Sequence, residues 1–316
     1  MEYCCKTPVA LIFFNRPETL EKVFEKVRKA KPSKLFLVQD GPRNEEDAKK
    51  ILECRKIVEN IDWQCEVIKD YSEVNLGCGV RPQSGISNAF KHTEQLIILE
   101  DDCIPSNTFF RYCDEMLEKY KDDQRICYIS GLNHFETWDC AEGDYFFAKT
   151  GAIWGWATWK RAWSQYYDYY VQAIENEKLL ELVKRQVTNK FVAQSRIDGW
   201  KKANASLKNN EKVSYWDTQW GFVKLSQNML VIVPKYNQIH NVGVGIASTH
   251  AKQMKECTYV KYKNFVFIPT YDLEFPIRHP EHCVCDTIYD DLVYKCGVGN
   301  SLKRVAKTVI KKLRNK

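Results

Sequence analysis

This chain of 316 residues lacks any apolar run near the roughly 20 residues that cross a bilayer, so it does not read as an integral membrane protein. It lacks the Gly-x-x-x-x-Gly-Lys signature of a phosphate loop. It also lacks a dinucleotide fingerprint. Gly243 and Gly245 have no third glycine at Ser248, and they do not follow the first strand. There is no internal repeat and no low-complexity linker. The 13 cysteines are odd in number and follow no regular framework. The opening MEYCCKTPVALIFF has no basic region before its short apolar run, so it reads as a first strand rather than a signal peptide. The cysteines then read as reduced thiols in a cytosol.

Charge is also scarce where the total suggests it. The formal net charge is +6, yet residues 301–316 alone carry seven basic residues and no acid. The rest of the chain is close to neutral, so nothing suggests a general nucleic-acid binder. In that tail Leu302, Val305, Ala306, Val309, Ile310 and Leu313 share one helical face. The pattern is that of an interfacial amphipathic helix at an anionic membrane surface. A helix docked on the body has the same pattern.

What is present is an alternation of strand-like and helix-like segments over the first hundred residues. Val9 to Phe14, Leu35 to Val38, a stretch near Cys65 to Ile68, and Leu96 to Leu99 are strand candidates. Pro17 opens a helix in which Leu20, Val23, Phe24 and Val27 recur at helical spacing. A polar helix spans roughly Glu45 to Asn60, and a short one residues 84–93. The rhythm predicts an α/β fold with a doubly wound, mostly parallel sheet flanked by helices, ending in the C-terminal amphipathic helix. We divide the chain into a catalytic domain over residues 1–260, an extension over 261–300 and the tail over 301–316. Within the domain, residues 1–105 form the nucleotide part and residues 106–260 the acceptor part.

The most informative segment is LIILEDDCIP, residues 96–105, where an apolar run ends in Glu100, Asp101 and Asp102. Ligands of open α/β sheets bind beyond the carboxyl ends of the strands. Three acids there repel one another unless a cation joins them. Hard cations such as Mn²⁺ or Mg²⁺ take oxygen ligands and bridge to phosphates. A helix cap near Ser106 is the plainer reading, but it needs one acid. Arg16 and Asp40 end the first two strands and lie on the same sheet edge. Arg16 suits a phosphate or a base, and Asp40 a base or sugar; a salt bridge between the two is equally open.

Further candidates lie downstream. Asp217, between Trp216 and Trp220, is expected to be partly desolvated, as suits a general base. It is equally placed to cap a helix from Thr218 to Gln227. His240 and His250 flank a glycine-bearing stretch and are each candidates for the metal or a diphosphate. Residues 154–163, WGWATWKRAW, combine sugar-stacking and core-filling tryptophans, with a tight turn expected at Gly155. His279, His282, Cys283 and Cys285 have zinc-ligand chemistry, but four ligands within seven residues can hardly wrap a tetrahedron.

Together these motifs resemble a GT-A glycosyltransferase of the bacterial family-2-like kind, over residues 8 to about 250. The acidic triplet, with Cys103-Ile104-Pro105 and Phe109-Phe110 behind it, is similar to the Glu-Asp-Asp segment of the N-acetylglucosaminyltransferase that initiates complex N-glycans. WGWATWKRAW resembles a segment of bacterial relatives. The resemblance implies that Asp102 ligates Mn²⁺ or Mg²⁺ on the donor diphosphate, with Glu100 and Asp101 near the ribose or donor sugar. It implies that Arg16, Asp40 and Arg81 contact the nucleotide of a UDP-sugar. Asp217 becomes the catalytic base of an inverting transfer, His250 a metal-site histidine, and Trp154 and Trp156 acceptor contacts. The implied partners are a nucleotide-sugar donor and a saccharide acceptor. With the tail on the cytoplasmic face of a bacterial membrane, that acceptor is lipid-linked and serves surface polysaccharide synthesis. The triplet is Glu-Asp-Asp rather than Asp-x-Asp, which leaves Glu100 without an assigned metal contact. A sugar nucleotidyltransferase of similar fold is the runner-up, although Asn15-Arg16-Pro17 stands where its glycine-rich basic loop belongs. A non-catalytic carbohydrate-binding protein is the other class.

Overall fold

A computed structural model describes residues 3–243 and 268–296. The tail and His250 lie outside the described residues, so neither assignment is addressed by the structure.

The first strands form where sequence patterning places them. β1 (Val9–Phe13), β2 (Lys34–Gln39), β3 (Glu66–Tyr71) and β4 (Gln95–Glu100) pair in parallel in the order β3-β2-β1-β4. Every residue of β1 is buried, because both faces of the sheet are covered. Alternation divides its side chains: Val9, Leu11 and Phe13 join one core, Ala10 and Ile12 the other. α1 (Pro17–Ala30) covers the first face with Leu20, Val23, Phe24 and Val27. α2 (Glu45–Val58) starts at Asn44, whose side chain accepts from the Asp47 N–H. α3 (Arg81–Ala89) covers the second face with Ile86 and Ala89.

The second half extends the same sheet, but not in parallel throughout. After β5 (Cys103–Pro105) and α4 (Phe109–Lys119) come β6 (Ile126–Ser130), β7 (Tyr145–Ala148) and β8 (Trp156–Trp159). β8 inserts between β4 and β6, antiparallel to both. The full order is β3-β2-β1-β4-β8-β6, then β9 (Leu230–Pro234) and β7. The tight turn expected at Gly155 is present, and the tryptophans after it run into a strand. Gly155, at φ +60°, makes the turn into β8, and a Cβ there would sit 2.2 Å from Ile239 Cδ1. A small sheet pairs β5 with β10 (Ile239–Asn241).

α5 (Lys160–Tyr166) leads to a helical hairpin, α6 (Glu177–Arg185) and α7 (Lys190–Lys208), with its own apolar cluster around Val183, Ile197 and Trp200. α8 (Asp217–Ser226) follows and shares that cluster through Phe222 and Leu225. Residues 268–296 pack back on the body: Leu273 and Ile277 enter the first core, and Tyr289 the second. No helix among the described residues is long and apolar enough to cross a membrane.

Candidate active site

Parallel pairing aligns Ile12 with Glu100 and Phe13 with Gln39. The residues after β1, β2 and β4 therefore leave the sheet on one edge. They line a cleft of about 360 Å³ together with Trp154 and the loop and helix start at Ser214–Asp217. That volume suits a nucleotide-sized ligand.

The acids after β4 are fixed one by one. Asp101 is buried and its Oδ2 accepts the Phe14 N–H at 3.1 Å. Asp102 Oδ2 accepts from Arg16 Nη1 at 2.7 Å, and the same nitrogen lies 3.4 Å from Asp101 Oδ1. Arg16 therefore pairs with the triplet and not with Asp40. Burial, then Asp102, Asp101 and Asp217, push Glu100 well above the usual carboxylate range. Burial likewise raises Asp101, although Arg16 opposes it. Burial works against the charge of Arg16, but Asp101 and Asp102 hold its pKa above the ordinary value.

Asp40 lines the cleft and is already well supplied with donors. It accepts from the N–H groups of Gly41, Leu76 and Gly77 at 2.8–2.9 Å, and from Asn75 Nδ2 at 3.1 Å. It pins the loop after β3 against the end of β2. Arg81 is buried at the start of α3, where it bonds the Gln39 carbonyl at 3.1 Å and pairs with Asp70 at 2.7 Å. Both residues shape the cleft wall through these partners. Sequence reasoning missed Arg43, Asn75, Cys78 and Tyr215, which also line the cleft. The glycine-bearing stretch from Tyr71 to Pro82 signals Asn75 and Cys78, while Arg43 and Tyr215 lie outside it.

Two expectations need correction. Trp156 is fully buried and packs among Tyr128, Trp163, Trp216 and Trp220, so it offers no surface to an acceptor. Its place in a central strand, facing the second core, excludes the acceptor role. Trp154, one residue before the turn at Gly155, is half-buried and does line the cleft. Asp217 is exposed, not desolvated, because Trp216 and Trp220 turn inward to the core. Nor is it the cap. Asp217 is the first helical residue, Trp216 holds the cap position, and no side chain caps this end. A carboxylate in a first turn still complements the helix dipole.

Asp102 has a second close neighbour. Its carbonyl accepts the Val242 N–H at 2.9 Å, and a Cβ on Gly243 would fall 1.9 Å from its Oδ2. Only glycine allows the segment after β10 to approach so closely. His240 Nδ1 lies 3.0 Å from the Ile268 carbonyl. The possible zinc residues disperse: His279 contacts Tyr145 and Glu115, His282 contacts Glu142, and Cys285 contacts Asp290. Among the described residues, no group of three or more His, Cys, Asp or Glu side chains is disposed to hold a metal unaided.

No family model matches the chain, and no curated protein matches it. Among solved structures it is similar to a UDP-glucose pyrophosphorylase complexed with UDP-glucose, at 10% identity and TM-score 0.37, covering 74% of this chain and 92% of that one. It is similar to a 4-diphosphocytidyl-2C-methyl-D-erythritol synthase from Anaerococcus prevotii at 13% identity and TM-score 0.37, covering 74% and 89%. An apo UDP-glucose pyrophosphorylase aligns at 10% identity and TM-score 0.36. Superpositions this loose carry no argument about activity.

Proposed function

We propose that the chain is a metal-dependent inverting glycosyltransferase that moves a sugar from a nucleotide-sugar to a saccharide acceptor. One observation carries the reading. Asp217, from a helix far downstream, lines the same cleft as Arg16 and the acids Glu100, Asp101 and Asp102. A carboxylate across a cleft from a phosphate-binding edge is what a displacement at the anomeric carbon needs.

The residues fit a divalent cation. Asp40, Glu100, Asp101, Asp102 and Asp217 line the cleft against Arg16, Arg43 and Arg81. Arg43 and Arg81 are already paired with Asp47 and Asp70. The acids are thus undercompensated, and Asp102 and Glu100 offer hard oxygen donors. Mn²⁺ and Mg²⁺ commonly take one or two carboxylates and draw the rest of their shell from water and phosphate. Asp102, aided by Glu100, would hold such a cation, which would neutralise charge on the departing diphosphate.

The remaining roles belong to the chain. Arg16 pairs with the diphosphate, and Trp154 supports a sugar ring. Asp217 takes the proton from the acceptor hydroxyl. The new bond from that oxygen to the anomeric carbon forms as the bond to the diphosphate oxygen breaks, so configuration inverts. A lipid-linked acceptor, polysaccharide synthesis and membrane placement are readings of the tail alone.

A nucleotidyltransferase would need to cradle a triphosphate after β1. Only Phe14, Asn15 and Arg16 separate β1 from α1, with the Phe14 N–H given to Asp101 and the Asn15 amide to Asp47. A single assay separates the classes. The protein is incubated with a panel of nucleotide-sugars and Mn²⁺, and in parallel with nucleoside triphosphates and sugar 1-phosphates. Release of nucleoside diphosphate in the first arm supports the transferase. Pyrophosphate release in the second makes the chain a nucleotidyltransferase. Sugar binding without turnover in either arm makes it a non-catalytic binder.

A further inference from the structure

We propose that Arg16 is the resident counter-cation of Asp102, and that it yields this carboxylate when a divalent cation and a nucleoside diphosphate enter the cleft together. This rests on the function proposed above and adds to it a coupling between the cation and the diphosphate. One Arg16 nitrogen serves both acids, at 2.7 Å from Asp102 and 3.4 Å from Asp101. The other arginines of the cleft cannot replace it, since each is held elsewhere at 2.6–2.7 Å.

The surroundings of Asp102 leave a lone metal ion little access. Its Oδ2 is taken by Arg16 and walled by Gly243, whose Cα passes without a side chain. Its Oδ1 accepts the Cys103 thiol at 3.4 Å. A cation arriving alone must therefore displace a guanidinium and leave it beside that cation, two positive groups at one carboxylate. A diphosphate removes the conflict. Its oxygens take the guanidinium, for which they are well-matched acceptors, and they complete the cation's shell.

Arg16 can make that exchange without disturbing the fold. Its side chain is 31% exposed. It sits just before α1, where its backbone carbonyl accepts the Leu20 N–H and its side chain makes no cap bond. Rotation of the side chain thus leaves the helix start intact.

The consequence is reciprocal coupling: UDP tightens Mn²⁺ and Mn²⁺ tightens UDP by the same factor. Free Mn²⁺ is titrated by electron paramagnetic resonance against the full chain, with and without UDP, in wild type and Arg16→Gln. Wild type is expected to bind Mn²⁺ at least about tenfold more tightly with UDP, within the usual range of coupling. Arg16→Gln is expected to bind Mn²⁺ alone about tenfold more tightly than wild type, and UDP then adds less. Its melting temperature in EDTA should fall below wild type and recover with Mn²⁺. Arg16→Lys keeps the charge without the fork and should fall between them, and it serves if the glutamine variant does not fold. Mn²⁺ affinity unchanged or weakened in both variants overturns the counter-cation role, while UDP-dependent binding in wild type leaves the transferase standing. Failure of wild type to bind Mn²⁺ even with UDP overturns both.

Discussion

The two walls of the cleft are built differently. On the side proposed for the nucleotide, Asp40, Asp101 and Arg81 are each held by named partners. Asp40 takes four donors, Asp101 takes a backbone N–H, and Arg81 bonds across to β2 and β3. On the side proposed for the acceptor, Asp217 is exposed at a helix start and Trp154 is half-buried before a turn. The first wall rises directly from parallel strands, and the second from a loop and a helix laid over an aromatic core. The difference is what the proposed transfer would ask of its two walls, one for a charged donor and one for a variable acceptor. Preorganised charges cost no rearrangement when the reaction begins.

The largest effect tests where the acceptor wall stops being surface. Trp156→Ala should cost about 3–5 kcal/mol, the usual range for deleting a buried aromatic ring. Trp154→Ala, half-buried, should cost roughly 1–2 kcal/mol, nearer the common range for point changes. Urea melts of both variants check the ranking. If the two cost the same, Trp156 is not the core of the acceptor wall and the contrast between the tryptophans fails.

Next comes the nucleotide wall. Asp40→Ala leaves the N–H groups of Gly41, Leu76 and Gly77 without their carboxylate. Unsatisfied donors and lost charge-assisted bonds should together cost about 3 kcal/mol. Hydrogen exchange should rise at Leu76 and Gly77 before it rises in β1. Protection unchanged at those amides would mean that Asp40 does not hold the loop and is a plain ligand contact.

Much of this architecture was legible in the chain. β1, β2 and β4 are continuous apolar runs, and a sheet buried on both faces demands such runs. The convergence of Arg16, Asp40 and the triplet follows from parallel pairing alone. β8 was not legible, because its four residues are a strand only through pairing with β4 and β6, from distant sequence. Its indoles looked like a binding platform, while Trp156 and Trp159 face opposite cores. The partners of Asp40 were hidden for a related reason. They are backbone N–H groups 36 and 37 residues away, and no side-chain pattern marks them. Asp217 was expected between buried tryptophans, but Trp216 holds the cap position before the helix and turns into the core, while Asp217 stands exposed at the first helical position.

A smaller effect comes from acid. Asp47 receives Arg43 Nε at 2.6 Å and Asn15 Nδ2 at 2.6 Å, which joins the helix after β2 to the turn after β1. The bond from Arg43 is the main cause that lowers its pKa to about 2. A depressed carboxylate stabilises the fold above its unfolded value, near pH 4, and that stability is lost as pH falls through about 2. Arg43 is 58% exposed, so solvent screening limits the contribution to at most about 2 kcal/mol. Asp47→Asn should therefore flatten the stability profile between about pH 4 and pH 2. An acid limb of the same slope in the variant would place the acid sensitivity elsewhere.

The smallest change in stability is expected at the residue proposed as the general base. Asp217→Asn keeps the size of an exposed side chain and loses a favourable charge near a helix start, worth roughly 0.3–1 kcal/mol. The nucleotide wall is untouched, so UDP with Mn²⁺ should bind within about twofold of wild type. Transfer to acceptor should fall by about 10²–10⁴, because an amide cannot take the hydroxyl proton. The loss should lie in kcat, with donor KM nearly unchanged, since the missing interaction exists only as the acceptor oxygen attacks. Donor binding measured by calorimetry and transfer measured by diphosphate release give the two halves separately. Transfer within a few-fold of wild type would reduce Asp217 to a helix-start charge, and the acceptor wall would then contain no base among the residues that face the acids.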